Sequence, residues 1–196
     1  LLSGELPDTI GNLRSLVNVD LYGNSFSCRI PTSIGSLTSV VNINFGGNSL
    51  TGSIPSQVGL LSNVQSFLLL SNKLNGTIPD ELYQCRSLAF LNIADNLISG
   101  SISDRIQQLD ALVELNVNLN KLTGSLPSEM STLTTMRNAF FAGNSFTGIV
   151  PRGLCPEDPD EKLEADCRRD EDGTTEIECS CCTKCCVDSI DGCIET

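Results

Sequence analysis

The sequence predicts a repeat solenoid in which each 24-residue coil gives one short strand to a single parallel sheet. Three observations predict it. Proline stands at 7, 31, 55, 79, 127 and 151, with Ser103 filling the one gap. Asparagine stands at 24, 48, 72, 96, 120 and 144. Both series keep a period of 24 without insertion or deletion, which is the signature of stacked, near-identical units. Apolar residues fill the same phases in every unit, as in the stretch from Leu13 to Pro31.

The strand comes first in each unit. One apolar phase reads Val19, Ile43, Phe67, Leu91, Leu115, Ala139, and a second reads Leu21, Phe45, Leu69, Ile93, Val117, Phe141. Residues two apart share one face of a strand, so these two phases point inward and their neighbours point outward. The asparagine phase follows. A coil this short turns sharply after its strand and leaves buried backbone groups unpaired. An inward Asn carries both a donor and an acceptor, so a stacked ladder should pair with backbone of its own and adjacent coils. A glycine phase (Gly4, Gly52, Gly76, Gly100, Gly124, Gly148) suits a tight backbone path. The Ile-Pro step opens the far side, because Pro removes an N–H. The stretch from Pro31 to Leu37 is too short for more than one 3₁₀ or α turn.

These residues resemble the plant-type leucine-rich repeat, L-x-x-L-x-x-L-x-L-x-x-N-x-L-x-G-x-I-P, over residues 1–151. The resemblance implies a right-handed superhelix, mostly β, with its strands on a concave face and short helical turns on the convex side. Cys28 at the glycine phase and Ser103 at the proline phase depart from the motif. The paired-cysteine N-terminal cap of plant receptor ectodomains has no counterpart here. The chain starts inside a repeat, since Leu2 to Pro7 aligns with Phe26 to Pro31. The native polypeptide is therefore expected to continue upstream, or to bury this end against another subunit.

The solenoid is assigned to residues 1–154, about six repeats, and an acidic, cysteine-rich cap to 155–196. Eight of ten cysteines fall in the cap: Cys155, Cys167, Cys179, Cys181, Cys182, Cys185, Cys186 and Cys193. A dense, even set in a short segment reads as a disulfide framework formed in an oxidising compartment. All eight are expected to be oxidised, with connectivity left open. The cluster is also similar to the C-terminal caps of extracellular leucine-rich-repeat proteins of diatoms and related algae. All-thiolate zinc is the rival reading. Calcium at Asp170, Asp172 and Glu176 lacks the spacing of a calcium loop. Cys28 and Cys85 lie 57 residues apart, roughly 11 Å along the stack at about 4.8 Å per strand. A disulfide needs Cα atoms within about 7 Å, so these two should not pair. Cys85 reads as a small buried hydrophobe.

Charge excludes several functions. Residues 1–150 hold 10 acidic and 7 basic residues and residues 151–196 hold 14 and 5, which gives −3 and −9 and sums to −12. A chain this acidic repels nucleic acid and anionic membrane surfaces. No segment approaches the roughly 20 apolar residues of a membrane span. Membrane contact is expected only through an anchor upstream of Leu1. Histidine is absent, which removes Ser-His and Cys-His nucleophiles and every His-ligated metal site. No cofactor, metal or catalytic residue is assigned.

The expected function is extracellular, non-catalytic binding of a protein, peptide or glycan on the concave face. The alternative is a structural or adhesive part of a cell surface, wall or extracellular fibre that self-associates. The candidate contact residues are Asn18, Asp20, Tyr22, Asn42, Asn44, Leu68, Leu70, Phe90, Asn92, Glu114, Asn116, Asn118, Asn138 and Phe140. Four of them (Leu68, Leu70, Phe90 and Phe140) are expected to be exposed apolars that core packing does not explain. Asn75-Gly76-Thr77 is the one N-glycosylation sequon, and Asn75 is expected to carry a glycan.

Overall fold

The computed structural model describes residues 1–166, 177–187 and 189–195. One long sheet runs the length of the solenoid. Its parallel strands are Asn18–Asp20, Asn42–Asn44, Ser66–Leu68, Phe90–Asn92, Glu114–Asn116 and Asn138–Phe140. Neighbouring strands pair residue i with residue i+24, as Val19 with Ile43 and Leu115 with Ala139. The two predicted inward phases supply the core. All of their members are buried except Leu21, which is half-buried in the first coil. A 3₁₀ turn follows each Ile-Pro step or its equivalent, from Asp8–Asn12 to Ser128–Thr132, with a shorter one at Arg152–Leu154.

The asparagine ladder bonds as its chemistry requires. Asn72 Nδ2 donates to Leu69 O in its own coil and to Phe45 O in the preceding one, both at 3.0 Å. Its Oδ1 accepts from Leu50 N at 2.9 Å. Asn48, Asn96, Asn120 and Asn144 repeat this pattern. Each amide therefore ties two coils together while satisfying carbonyls that the turn leaves without partners.

A second set of parallel strands lies on one flank, at Ser3–Gly4, Ser25–Phe26, Thr51–Ser53, Lys73–Asn75, Ser99–Gly100, Lys121–Ser125 and Ser145–Thr147. The sequence reading did not anticipate it. Its register is 22 residues rather than 24, as Thr51 with Lys73 and Ser3 with Ser25. The physical cause is the ladder: the N–H bonded to each Asn Oδ1 also lies 22 residues earlier. The flank strands thus stack two residues out of step with the long sheet.

The strand pattern runs past Leu154. Lys162–Asp166 pairs in register with Asn138–Phe140, and Leu163 and Ala165 fill the two inward phases with full burial. Lys184–Val187 adds a further parallel strand, and Ser189–Glu195 closes the sheet antiparallel. On the flank, Glu178 exchanges backbone bonds with Gly148 and Val150 at 2.7 and 2.9 Å. Asp166 Oδ2 accepts from Asn144 N at 3.1 Å, where earlier coils use a backbone carbonyl. The acidic segment thereby covers the last edge of both sheets. Disulfides Cys155–Cys181 and Cys179–Cys182 pin it. The expectations at Cys167, Asp170, Asp172 and Glu176 lie outside the described residues, as do the side chains of Cys185, Cys186 and Cys193.

The 3₁₀ turns stack closely through glycine. A Cβ added at Gly59 would lie 2.4 Å from Glu81 O, and one at Gly35 2.4 Å from Gln57 O. In the next coil the same phase holds Tyr83, which is fully buried. Its hydroxyl accepts from Ser103 N at 3.3 Å. Ser103 is the position where proline is replaced, so the extra N–H at this departure from the motif meets an acceptor supplied by Tyr83. Cys28 and Cys85 are both unpaired. Cys85 is buried in the inward leucine phase, and its Sγ–H donates to Val58 O at 3.2 Å. Burial pushes its thiol up to about 11.

Candidate functional site

The outward face of the long sheet carries the candidate residues, because strand alternation turns them away from the core. Asn18, Asp20, Tyr22, Asn42 and Phe90 are exposed. Asn44, Leu68, Leu70, Asn92, Glu114, Asn116, Asn138 and Phe140 are half-buried. Asn118 is a correction: it is 5% exposed and cannot belong to an accessible contact surface. It sits where the chain turns into the ladder, and its carbonyl accepts from Asn120 Nδ2 at 3.2 Å.

The four apolar residues also differ from expectation, since only Phe90 is exposed, at 44%, and the other three are half-buried. Leu70 has a packing cause. A Cβ at Gly46 would fall 2.5 Å from Leu70 Cδ2 and 3.2 Å from Tyr22 Cδ2, so both side chains close over the missing side chain of Gly46. Leu68 and Phe90 lie diagonally on the adjacent strands Ser66–Leu68 and Phe90–Asn92, and Leu70 follows two residues beyond Leu68, on the side away from Phe90.

Polar contacts organise the rest of the face. Asn42 Nδ2 donates to Asn18 Oδ1 at 2.6 Å, and Asn138 Nδ2 donates to Glu114 Oε2 at 3.4 Å. In the central row, each Asp or Asn oxygen accepts the backbone N–H two residues on: Asp20 from Tyr22, Asn44 from Gly46, Asn92 from Ala94 and Asn116 from Asn118, at 3.0 to 3.2 Å. Asn75, Gly76 and Thr77 are exposed on the flank, away from this face.

The reading from sequence missed one concavity. A cleft of about 280 Å³ lies between the last full coil and the cap, and Arg137, Arg152, Glu157, Glu161 and Lys162 are among its walls. Glu161 pairs with Arg137. The N–H of Glu157 and then Arg137 hold its carboxyl below the usual range. Arg137 and Glu161 are 24 residues apart, so the period alone places them on neighbouring coils. Among the described residues, no three His, Cys, Asp or Glu side chains gather where a metal could sit.

The sheets, ladder and turns define a leucine-rich-repeat solenoid with one long, mainly parallel sheet and short parallel sheets along its flank. The Leucine Rich Repeat family model matches residues 15–37. The solved structure of the plant peptide hormone receptor RGFR1 in complex with RGF2 is similar, with TM-score 0.79, 29% identity, and coverage of 91% of this chain and 27% of that one. The ectodomain of GASSHO1/SCHENGEN3 from Arabidopsis thaliana, in complex with CASPARIAN STRIP INTEGRITY FACTOR 2, gives TM-score 0.75 and 32% identity over 84% of this chain and 20% of that one. The BIR3–SERK2 complex from Arabidopsis thaliana gives TM-score 0.60 and 32% identity over 68% of this chain and 71% of that one. No curated protein sequence matches. The chain belongs to the leucine-rich-repeat family, and it spans only 27% and 20% of the length of the first two receptors.

Proposed function

We propose that this chain is a non-catalytic, extracellular recognition module that takes a protein or peptide ligand on the outward face of the long sheet. The observation that carries the reading is the apolar pair Leu68 and Phe90 on two adjacent strands, with Leu70 just beyond Leu68, set among amides on the outward face. Contiguous accessible apolar surface marks contact sites, and aromatic anchors dominate binding energy. The similar solved structures include receptor complexes with peptide hormones, such as RGFR1 with RGF2 and HAESA with IDA. Two disulfides in the cap and the likeness to receptor ectodomains support an extracellular setting.

The test is selection of a phage-displayed library of random peptides on the intact, disulfide-bonded chain. Enriched peptides should lose binding to Leu68→Asp and Phe90→Ala, while both variants keep the wild-type thermal midpoint within a few degrees. Enrichment indifferent to both substitutions, or no enrichment at all, overturns the reading.

A further inference from the structure

The central outward row reads Asp20, Asn44, Leu68, Asn92, Asn116, Phe140. The carbonyl oxygens of Asn44, Asn92 and Asn116 are already engaged, at 3.2, 3.1 and 3.2 Å from the N–H groups of Gly46, Ala94 and Asn118. Only the oxygen of an amide can answer an N–H, so these bonds fix which end of each side chain turns toward the backbone. The Nδ2 groups have no protein acceptor among the described residues, and all three residues are half-buried rather than sealed. The row therefore offers free N–H donors, while each of these oxygens already has one of its two lone pairs engaged by backbone.

Asp20 shows that the fold does not require those donors. In the same phase, its carboxylate accepts Tyr22 N–H at 3.0 Å. A carboxylate closes the turn as well as an amide does. What the amides add at 44, 92 and 116 is the outward N–H.

We infer that Asn44, Asn92 and Asn116 read the main chain of an extended peptide, donating to its carbonyl oxygens on either side of an apolar side chain seated on Leu68, Leu70 and Phe90. This rests on the outward face being the binding surface. Asn44 lies on the strand before Leu68, and Asn92 and Asn116 lie on the two strands after it. The donors thus bracket the apolar seat. They span three strand spacings, about 14 Å, which an extended chain covers in about four or five residues. A peptide carbonyl is an acceptor only and matches donors facing it. A sugar hydroxyl brings a donor too, which the oxygens of this row can meet only with the lone pair that the turn leaves.

The experiment uses peptides selected from the random phage-displayed library on the wild-type chain. Their affinity is measured on Asn92→Asp/Asn116→Asp, which keeps the turn bonds and removes the donors, and on Asn92→Leu/Asn116→Leu, which removes the donors without adding charge. Leucine is native to this row at 68. The expected result is affinity lower by about ten-fold in both pairs, the loss of two neutral hydrogen bonds, with the Asp pair somewhat less stable than wild type because its two carboxylates face each other across adjacent strands. Peptides that need Leu68 and Phe90 but bind the Leu pair like wild type overturn this inference and leave the proposed function standing. Peptides indifferent to Leu68→Asp and Phe90→Ala overturn both. Binding on a glycan array that is lost on Leu68→Asp, with no peptide enriched, overturns both the peptide inference and the proposed protein or peptide ligand, and leaves only the location of the face.

Discussion

Tyr83 and Ser103 offer a sharp test of how the solenoid tolerates departures from its repeat. Ser103 has φ −76° and ψ 151°, a backbone that proline adopts without strain. Restoring the motif with Ser103→Pro should nevertheless destabilise the protein. The proline ring places a carbon about 1.5 Å from the nitrogen, on the line where Tyr83 Oη now lies at 3.3 Å. The hydroxyl loses its donor inside the core, which costs about 1–3 kcal/mol, and the overlap costs about 1–3 kcal/mol more. Tyr83→Phe alone removes one neutral hydrogen bond, about 1 kcal/mol. In the double variant a residue without an N–H faces a ring without a hydroxyl, so its stability should be close to that of Tyr83→Phe. The coupling is then the whole of the Ser103→Pro loss, about 2–6 kcal/mol, read by urea unfolding of the four proteins with disulfides intact. Strictly additive losses would refute the argument. Alkaline pH gives an independent check. Burial raises the Tyr83 hydroxyl from 10.0 to about 12, so the unfolded chain releases this proton first. Its contribution is fully present below pH 10 and is lost between pH 10 and about 12, on the order of 2–3 kcal/mol. Tyr83→Phe should remove that part of the decline.

Three further outcomes are expected. Leu119 holds φ +52° in a phase that is glycine at 23, 47 and 143; Leu119→Gly relieves about 1–2 kcal/mol of left-handed strain against about 0.5–1 kcal/mol of added chain entropy, so the thermal midpoint should rise, and a fall would mean that its contact over Gly143 outweighs the strain. Asn75 on native, secreted protein should carry a glycan, seen as a drop in intact mass after glycosidase treatment; an unchanged mass ends that assignment. Alkylation of unreduced protein should label Cys28 in the native state and Cys85 only after unfolding, because Cys85 is buried and its thiol is raised to about 11; label on Cys155, Cys179, Cys181 or Cys182 would contradict the two disulfides.

What could be read from the sequence was what the 24-residue period repeats. The inward phases, the two-coil bonding of the asparagines, the one turn per coil and the separation of Cys28 from Cys85 all follow from phase alone, since stacking turns an identical phase into an identical environment. The flank sheet was harder to see. Its strands hold at most one buried residue each, Phe26, Leu74, Leu122 or Phe146, and three of them hold none, so the apolar alternation is too short to register. The phase of Phe26, Leu50, Leu74, Ile98, Leu122 and Phe146 was the available signal. The cap strand lost its asparagine and proline markers but kept the alternation Lys162, Leu163, Glu164, Ala165, which is what the preceding strand can recognise.

The same logic separates what the repeat explains on the outward face from what it leaves over. Leu70 is accounted for by the hollow above Gly46, and Asn118 by the turn beside Asn120. Neither needs a ligand. Asn44, Asn92 and Asn116 are different, because the turn bond they make is one that Asp20 makes equally well. A fold that needs only an oxygen at this phase has an amide in three coils and a carboxylate in the first. The surplus is a set of N–H donors with nothing to donate to, beside Leu68 and Phe90, whose inward neighbours Phe67 and Leu91 already fill the core. Amides also spare the stack the repulsion that carboxylates facing one another on adjacent strands would bring, and what packing leaves over is the apolar pair Leu68 and Phe90 beside the free N–H groups of those amides. Donors around an apolar seat are what a bound peptide would use.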